Sequence, residues 1–384
     1  MHLISGAGLS THFDMPNEPD TSVCSSIVPP NIEALIPYPP GKPLSELARE
    51  LGVESAIKLA SNENAYGPSP KAMEAVKAAV SEVHRYPDGG AWFLRDRLAE
   101  HVGVPGEGLL LGNGSNEVIE LLIRAFCDRD HGVLTSETTF VVYSLISQAA
   151  GVPFRSIPMK GLGYDLDAIA RAVDSSTRLI FLCNPNNPTG TLFSQEVLDK
   201  FVETVGPEPI IVLDEAYIEF VPEAERVDAL ALLKRRPRTV ILRTFSKAYG
   251  LAGLRVGYGI THPGLADYAN RVRQPFNVNH LAQVGALAAL DDQEYLDQVI
   301  ADTRASLDRF AHELTRMGMI VTPSDTNFML FDCGRDSWPI YQALLREGVI
   351  VRPMKAYALP TYLRVNAGTD AENDRFLETF ERVL

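Results

Sequence analysis

Cysteine is scarce in this chain, with four in 384 residues, and the four are scattered at Cys24, Cys127, Cys183 and Cys333. No C-x-x-C pair occurs, and no Cys/His cluster has zinc spacing, so a disulfide framework and a structural zinc site are both excluded; reduced thiols in a cytosolic protein are the expectation. Basic charge is also short. Lysine and arginine number 35 against 49 acidic residues, a formal charge of −14, whereas a nucleic-acid partner calls for a basic face. No apolar run approaches the roughly 18 residues of a membrane span. The start, Met1 to Ser26, lacks a basic segment followed by an apolar one and does not read as a signal peptide. Internal repeats, low-complexity segments and a Walker-type phosphate loop are missing as well.

What is present is ordinary soluble-enzyme composition, 46% hydrophobic, in a length that suits two domains. Residues 1–28 are polar and read as a poorly ordered tail. Val28 to Pro43 carries six prolines and reads as an extended arm rather than a helix. Ser69-Pro70 starts a helix, serine as cap and proline in the first turn. Another helix runs from about Asn116 to Phe126. Buried strands are expected at Gly132 to Thr135, Leu179 to Cys183, Ile210 to Asp214, Thr239 to Leu242 and Arg255 to Gly259. Helical patterns lie between them, including Ser194 to Val205 and Asp228 to Lys234. This alternation predicts an α/β fold with a mostly parallel sheet, whose ligand sites lie beyond the carboxyl ends of the strands. After about Gln274 the pattern changes. One long helical segment, His280 to Met317, precedes short strands near Asn327 to Phe331, Val349 to Val351 and Tyr362 to Val365. Helices at Trp338 to Arg346 and Glu372 to Val383 complete a smaller α+β domain.

Four strand ends carry polar groups. Gly112-Asn113-Gly114-Ser115-Asn116 opens a helix whose N–H groups and dipole favour an anion; a plain capped helix start reads the same way, and Glu117 breaks any dinucleotide fingerprint. Asn184-Pro185-Asn186-Asn187-Pro188-Thr189-Gly190 follows a buried strand and is at the least a turn. Asp214-Glu215-Ala216-Tyr217 ends another with a carboxylate that is costly to bury unless it is paired, and a protonated ring nitrogen is one such partner. Finally, Thr239 to Leu242 delivers Thr244, Ser246 and Lys247 to a Gly-rich turn, with Arg255 eight residues on. A lysine amine condenses with aldehydes, and hydroxyls with an arginine suit a phosphate. One small molecule that bears both an aldehyde and a phosphate is pyridoxal 5'-phosphate.

With N-P-N-N-P-T-G, D-E-A-Y and S-K-A-Y-G-L-A-G-L-R in this order, the chain resembles the fold-type-I pyridoxal-phosphate aminotransferases. Within them it resembles the histidinol-phosphate aminotransferase family, from about Val28 to Leu384. Leu59-Ala60-Ser61-Asn62-Glu63-Asn64, Arg85-Tyr86-Pro87-Asp88-Gly89, the segment Arg271 to Asn279, Gly348 to Met354 and Tyr362-Leu363-Arg364-Val365 carry that narrower match. The resemblance implies a large domain, 63–274, with a mostly parallel seven-stranded sheet between helices, and a small α+β domain, 275–384, with 29–62 as an N-terminal arm and part of the small domain. It implies pyridoxal 5'-phosphate held covalently by Lys247, which would then move the proton of the substrate carbon. Asp214 would pair with the ring nitrogen, Tyr217 and Asn187 would bond the phenolic oxygen, and Phe140 would stack on the ring. Ser115, Asn116, Thr244, Ser246 and Arg255 would hold the phosphate. Tyr86 would reach the phosphate of a neighbouring subunit, making a homodimer with shared sites. Tyr38, Asn64, Arg352 and Arg364 would meet the substrates, an amino donor and a 2-oxo acid, with L-histidinol phosphate and 2-oxoglutarate foremost. From the residues alone, Phe140 also reads as core and Arg352 as a surface charge. The sequence departs from the family pattern at Ala65, at Lys355-Ala356 and at Ala358, where glycines or proline are usual. These changes leave open an aromatic amino-acid aminotransferase, or a decarboxylase, cyclase or oxidase on the same fold.

Overall fold

The computed structural model describes residues 26–37 and 56–384. The expected tail up to residue 25 and Tyr38 lie outside the described residues, as does the second half of the proline-rich arm. The part of the arm that is described is not wholly extended, because Pro30–Glu33 forms one helical turn. Proline is preorganised for the first helical position, which explains the departure, and Asn31 ties the turn down by donating to the carbonyls of Gln148 and Ala149.

The first strand, β1 (Ile57–Lys58), is short. Then come β2 (Leu109–Gly112), β3 (Gly132–Ser136), β4 (Phe154–Ile157), β5 (Thr177–Cys183), β6 (Ile210–Asp214), β7 (Thr239–Thr244) and β8 (Gly257–Thr261). The last seven form one sheet in the order β2-β8-β7-β6-β5-β3-β4. Only β8 runs antiparallel to its neighbours. Helices cover both faces, so these strands are apolar nearly throughout. Leu110, Phe181, Val212, Val240 and Leu242 pack one face against helices Ser115–Phe126 and Val142–Ala150. Leu111, Leu182, Leu213 and Ile241 pack the other, in a core that also takes in Leu98, Leu198, Phe201 and Leu232.

Two expectations shift here. Arg255 is not in a strand: it holds a left-handed φ of 60°, and β8 begins only at Gly257. The expected long helix is two, His280–Leu290 and Gln293–Arg316. The break is fixed from outside: Arg97 donates to the Asp291 carboxylate and Lys71 to the Asp291 carbonyl. The first of the two helices packs on Pro70–Ala79 and Trp92–Val102.

A second sheet follows from β9 (Ile320–Val321), β10 (Phe328–Asp332), β11 (Val349–Ile350), β12 (Arg352–Pro353) and β13 (Tyr362–Asn366). Four of these form an antiparallel sheet in the order β12-β13-β10-β9, while β11 pairs in parallel with β1. Period-two alternation decides what each face does. Met329, Phe331, Leu363 and Val365 face a core with Phe310, Phe376 and Phe380. The opposite face presents Phe328, Arg364, Asn366 and, directly across from Arg364, Arg352. No helix among the described residues is long and apolar enough to cross a membrane.

Candidate active site

The parallel strands end on one edge of the large sheet, and registration sets Cys183, Asp214 and Leu242 side by side there. Asp214 falls on the face covered by helix Val142–Ala150. It is 2% exposed. One carboxylate oxygen accepts from Tyr143 Oη at 2.6 Å and the other from the Ala216 N–H at 3.2 Å. Burial lifts its carboxyl to about 6, against those two bonds. Behind it, on the other face, Glu215 and Arg243 form a bidentate pair with both nitrogens 2.9 Å from one oxygen. That pair ties the end of β6 to β7, one residue from Asp214 and one from Thr244.

Lys247 follows β7 in the turn that Phe245 and Leu251 close by a backbone bond. Its Nζ donates to the Asn62 carbonyl at 3.2 Å and to the Ser61 carbonyl at 3.4 Å. Burial first, then Arg364 and Arg255, lower its amine to about 8. Tyr217 lies beside it, with its ring centroid 5.7 Å from Nζ. The Tyr217 ring meets Phe328 of β10 edge-on, and its hydroxyl accepts from Asn62 Nδ2 at 2.9 Å. Burial pushes the Tyr217 phenol up.

Arg364 reaches across from β13. It donates to Asn187 Oδ1 at 2.6 Å and to the Ala60 carbonyl at 3.0 Å. An amide whose oxygen serves Arg364 keeps its own N–H donors for another acceptor. Asn186 ties the same turn to the Thr138-Thr139 loop through two bonds. Phe140 ends that loop and meets Tyr143 edge-on at 5.6 Å.

The anion cradle is assembled from three loops. Ser115 is the first residue of its helix, and the preceding Gly114 supplies no side-chain cap, so the first-turn N–H groups keep their pull on an anion. Arg255 swings back in its left-handed conformation and bonds Ser246 Oγ and the Ala252 carbonyl. A Cβ added to Gly114 would meet its guanidinium, and the backbone there, at φ 79° and ψ 164°, is one that glycine alone adopts readily. Thr244 Oγ1 accepts from the Ser246 N–H at 3.1 Å. Asn116 lies half-buried on the same first turn.

Asn64 sits behind the lysine. It donates to the Ala248 carbonyl and accepts from the Tyr66 N–H, which pins its loop. Arg352 lines a cavity of ≈ 320 Å³ with Phe140, Glu137 and Tyr357. Ala358 closes that wall with φ 58°, the conformation for which glycine is the usual choice. Tyr86 is the exception: it is 83% exposed and stacks on Phe276, with no contact to the Lys247 cluster among the described residues.

Three residues with prominent contacts were not singled out from the sequence. Tyr143 stands one helical turn beyond Phe140, a spacing that marks a shared face. Asn62 lies inside a quoted motif and carries φ 54°, uncommon outside glycine. Asn366 follows Arg364 by two residues on one face of β13, a relation visible from strand periodicity.

This donor set fits pyridoxal 5'-phosphate. It offers a buried carboxylate with no ion-pair partner within bonding distance among the described residues, an amine that is half neutral near pH 8, and a cradle of N–H groups, hydroxyls and a guanidinium. No group of acidic, histidine or cysteine side chains that could hold a metal occurs among the described residues.

Comparison with known proteins agrees. Residues 54–380 match the family described as aminotransferase class I and II. The chain is 47% identical to "Histidinol-phosphate aminotransferase 2" of Pseudomonas aeruginosa, over 94% of this chain and 98% of that one. It is likewise 47% identical to "Histidinol-phosphate aminotransferase" of Anaeromyxobacter sp., over 93% and 99%. Among solved structures it is similar to the histidinol-phosphate aminotransferase of Sinorhizobium meliloti in complex with pyridoxal-5'-phosphate, with a TM-score of 0.86, 29% identity, and coverage of 93% of this chain and 97% of that one.

Proposed function

The chain belongs to the class I and II aminotransferases, in the branch that holds the histidinol-phosphate enzymes, and we propose that it moves the amino group of L-histidinol phosphate to 2-oxoglutarate. One observation of the structure carries the substrate choice. Arg352 and Arg364 are registered directly opposite each other on β12 and β13, on the face that meets the Lys247 cluster. Two guanidinium groups on one sheet face offer two forks to an anion with more than one negative oxygen. A phosphate in one half-reaction and carboxylates in the other both meet the description, and guanidinium forks suit each.

Pyridoxal 5'-phosphate, when bound, supplies an aldehyde for amines and a ring that accepts electrons from the bond being broken. Lys247 Nζ would hold the cofactor and would then move the proton of the substrate carbon, a task suited to an amine poised near neutrality. Asp214 would stay ionised and pair with the ring nitrogen. Tyr217 and Asn187 would donate to the phenolic oxygen, and Phe140 would pack on the ring. Ser115, Asn116, Thr244, Ser246 and Arg255 bind the phosphate. Asn64 keeps the loop beside Lys247 closed.

The working unit of this reading is a homodimer in the cytoplasm. Exposed Tyr86, Trp92, Phe93 and Phe276 support it as apolar aromatic surface for a second copy, and Tyr86 would then serve the partner's cofactor. The free Cys127, Cys183 and Cys333 suit a reducing compartment. The deciding experiment is steady-state kinetics of the native chain with histidinol phosphate, phenylalanine and tyrosine as donors. A kcat/KM for histidinol phosphate below that for phenylalanine sinks the substrate assignment and leaves an aromatic amino-acid aminotransferase.

A further inference from the structure

We propose that Asn62 is a positioning residue that aims the hydroxyl proton of Tyr217 into the cofactor site. The inference rests on the reading of Tyr217 as a donor to the cofactor. Asn62 is 2% exposed and holds its left-handed backbone at φ 54°. Such a conformation persists only where the surroundings over-determine it, and it concentrates at functional sites. Here the surroundings do so from both sheets. The Asn62 N–H donates to Asn366 Oδ1 of β13 at 3.1 Å. Its carbonyl accepts from Asn327 Nδ2 at 3.0 Å and from Lys247 Nζ at 3.2 Å. The backbone is therefore clamped, and the side chain has one place to go. Its Nδ2 donates to Tyr217 Oη at 2.9 Å, while its Oδ1 is buried with no partner.

The direction of that bond decides the chemistry. A phenol has one proton and can accept on its oxygen. With Asn62 donating, Tyr217 keeps its proton for a different acceptor. If Tyr217 donated to Asn62 instead, its proton would be spent within the protein and the site would face a lone pair.

Two substitutions separate these cases. Asn62→Asp keeps size and tolerates the left-handed backbone, but its carboxylate can only accept and pulls the Tyr217 proton back. Asn62→Gly keeps the backbone and removes the amide. The readouts are the Kd for pyridoxal 5'-phosphate, the pH at which the bound cofactor's visible absorbance changes, and the unfolding midpoint of the cofactor-free chain. We expect Asn62→Asp to weaken cofactor binding by about tenfold and to move the absorbance transition by about one pH unit, with a smaller change of the same sign for Asn62→Gly. In a Tyr217→Phe background both effects shrink to within about twofold, since the target hydroxyl is gone. Equal effects in the two backgrounds overturn the inference, as does an Asn62→Asp chain that matches the native one. Unfolding of the cofactor-free chains reports any merely structural loss, which the Tyr217→Phe background would not cancel. No substrate enters these measurements. A native chain that prefers phenylalanine overturns the substrate assignment alone, whereas a native chain that binds no cofactor overturns both.

Discussion

Replacing Asp214 with asparagine should make the cofactor-free enzyme more stable and the cofactor-loaded enzyme worse. Asp214 is 2% exposed, and burial lifts its carboxyl from the ordinary 3.8 to about 6. Each pH unit is worth ~1.4 kcal/mol, so holding this group ionised at neutral pH costs the cofactor-free fold about 3 kcal/mol. The folded value lies above the unfolded one. Its contribution to stability is therefore intact below about pH 3.8 and lost as pH rises through about 6. Asp214→Asn removes the titration. The amide oxygen still accepts from Tyr143, but the amide nitrogen then faces the Ala216 N–H, which returns on the order of 1–2 kcal/mol. The net expectation above about pH 7 is a variant more stable than the native chain by about 1–2 kcal/mol without cofactor. That advantage opens between pH 3.8 and about 6 and is flat above. With pyridoxal 5'-phosphate the order reverses, because only the native carboxylate gains a charged partner. Urea unfolding of both chains at several pH values, with and without cofactor, measures all of this. A cofactor-free variant less stable than native at neutral pH, or a difference that ignores pH between 4 and 6, refutes the electrostatic account of this buried carboxylate.

Other expectations follow from the same geometry. With its amine lowered to about 8, Lys247 should capture pyridoxal 5'-phosphate at a rate that climbs about tenfold per pH unit below 8 and levels above it; a stopped-flow rate that keeps rising toward pH 10 denies the burial effect. Lys247→Ala should lose the borohydride-fixable bond and nearly all turnover. Arg364→Ala should damage both half-reactions, whereas Arg352→Ala should cost the phosphorylated donor more, by roughly 2–4 kcal/mol in kcat/KM; single-turnover rates with histidinol phosphate and glutamate decide it, and equal losses with both contradict it. Hybrids of a Lys247→Ala chain with a Tyr86→Phe chain should regain activity at the one site that carries neither lesion, and hybrids as inactive as their parents speak against a shared site.

The large sheet is legible in the sequence because its strands are buried on both faces. Ile210 to Asp214 stands as one apolar run that ends in a carboxylate, and the structure places the strand at those same residues. The groups that follow strand ends are legible for the same reason, since sheet topology gathers carboxyl ends on one edge. Tyr143 and Asn62 are not. Tyr143 meets Asp214 across 71 positions and Asn62 meets Tyr217 across 155; no local pattern encodes either encounter. Arg255 misleads because its neighbours are strand-like, while its own backbone turns to bring the guanidinium over Gly114. The helix break at Asp291 is equally invisible, as no glycine or proline marks it and the cause is two basic residues on other helices.

The residues that gain most from a ligand stand at or just past strand ends, where the sequence already points to them. Asp214 is an ionisable group in a dry place with only neutral hydrogen-bond donors, and Lys247 is an amine held against carbonyls with two arginines nearby. Each is unfavourable in the chain by itself, and a protein near the stability threshold tolerates few such features. They are affordable here because they lie on a scaffold whose remaining strand positions are almost uniformly apolar and closely packed. Each is also unfavourable in a different way, and the two are relieved by different parts of the cofactor: a cationic ring nitrogen for Asp214 and an aldehyde for Lys247. The local costs therefore specify the cofactor piece by piece. A chain with Asp214 and Lys247 both replaced by neutral residues of similar size should fold at least as stably as the native one, yet show no measurable cofactor-dependent gain in unfolding midpoint.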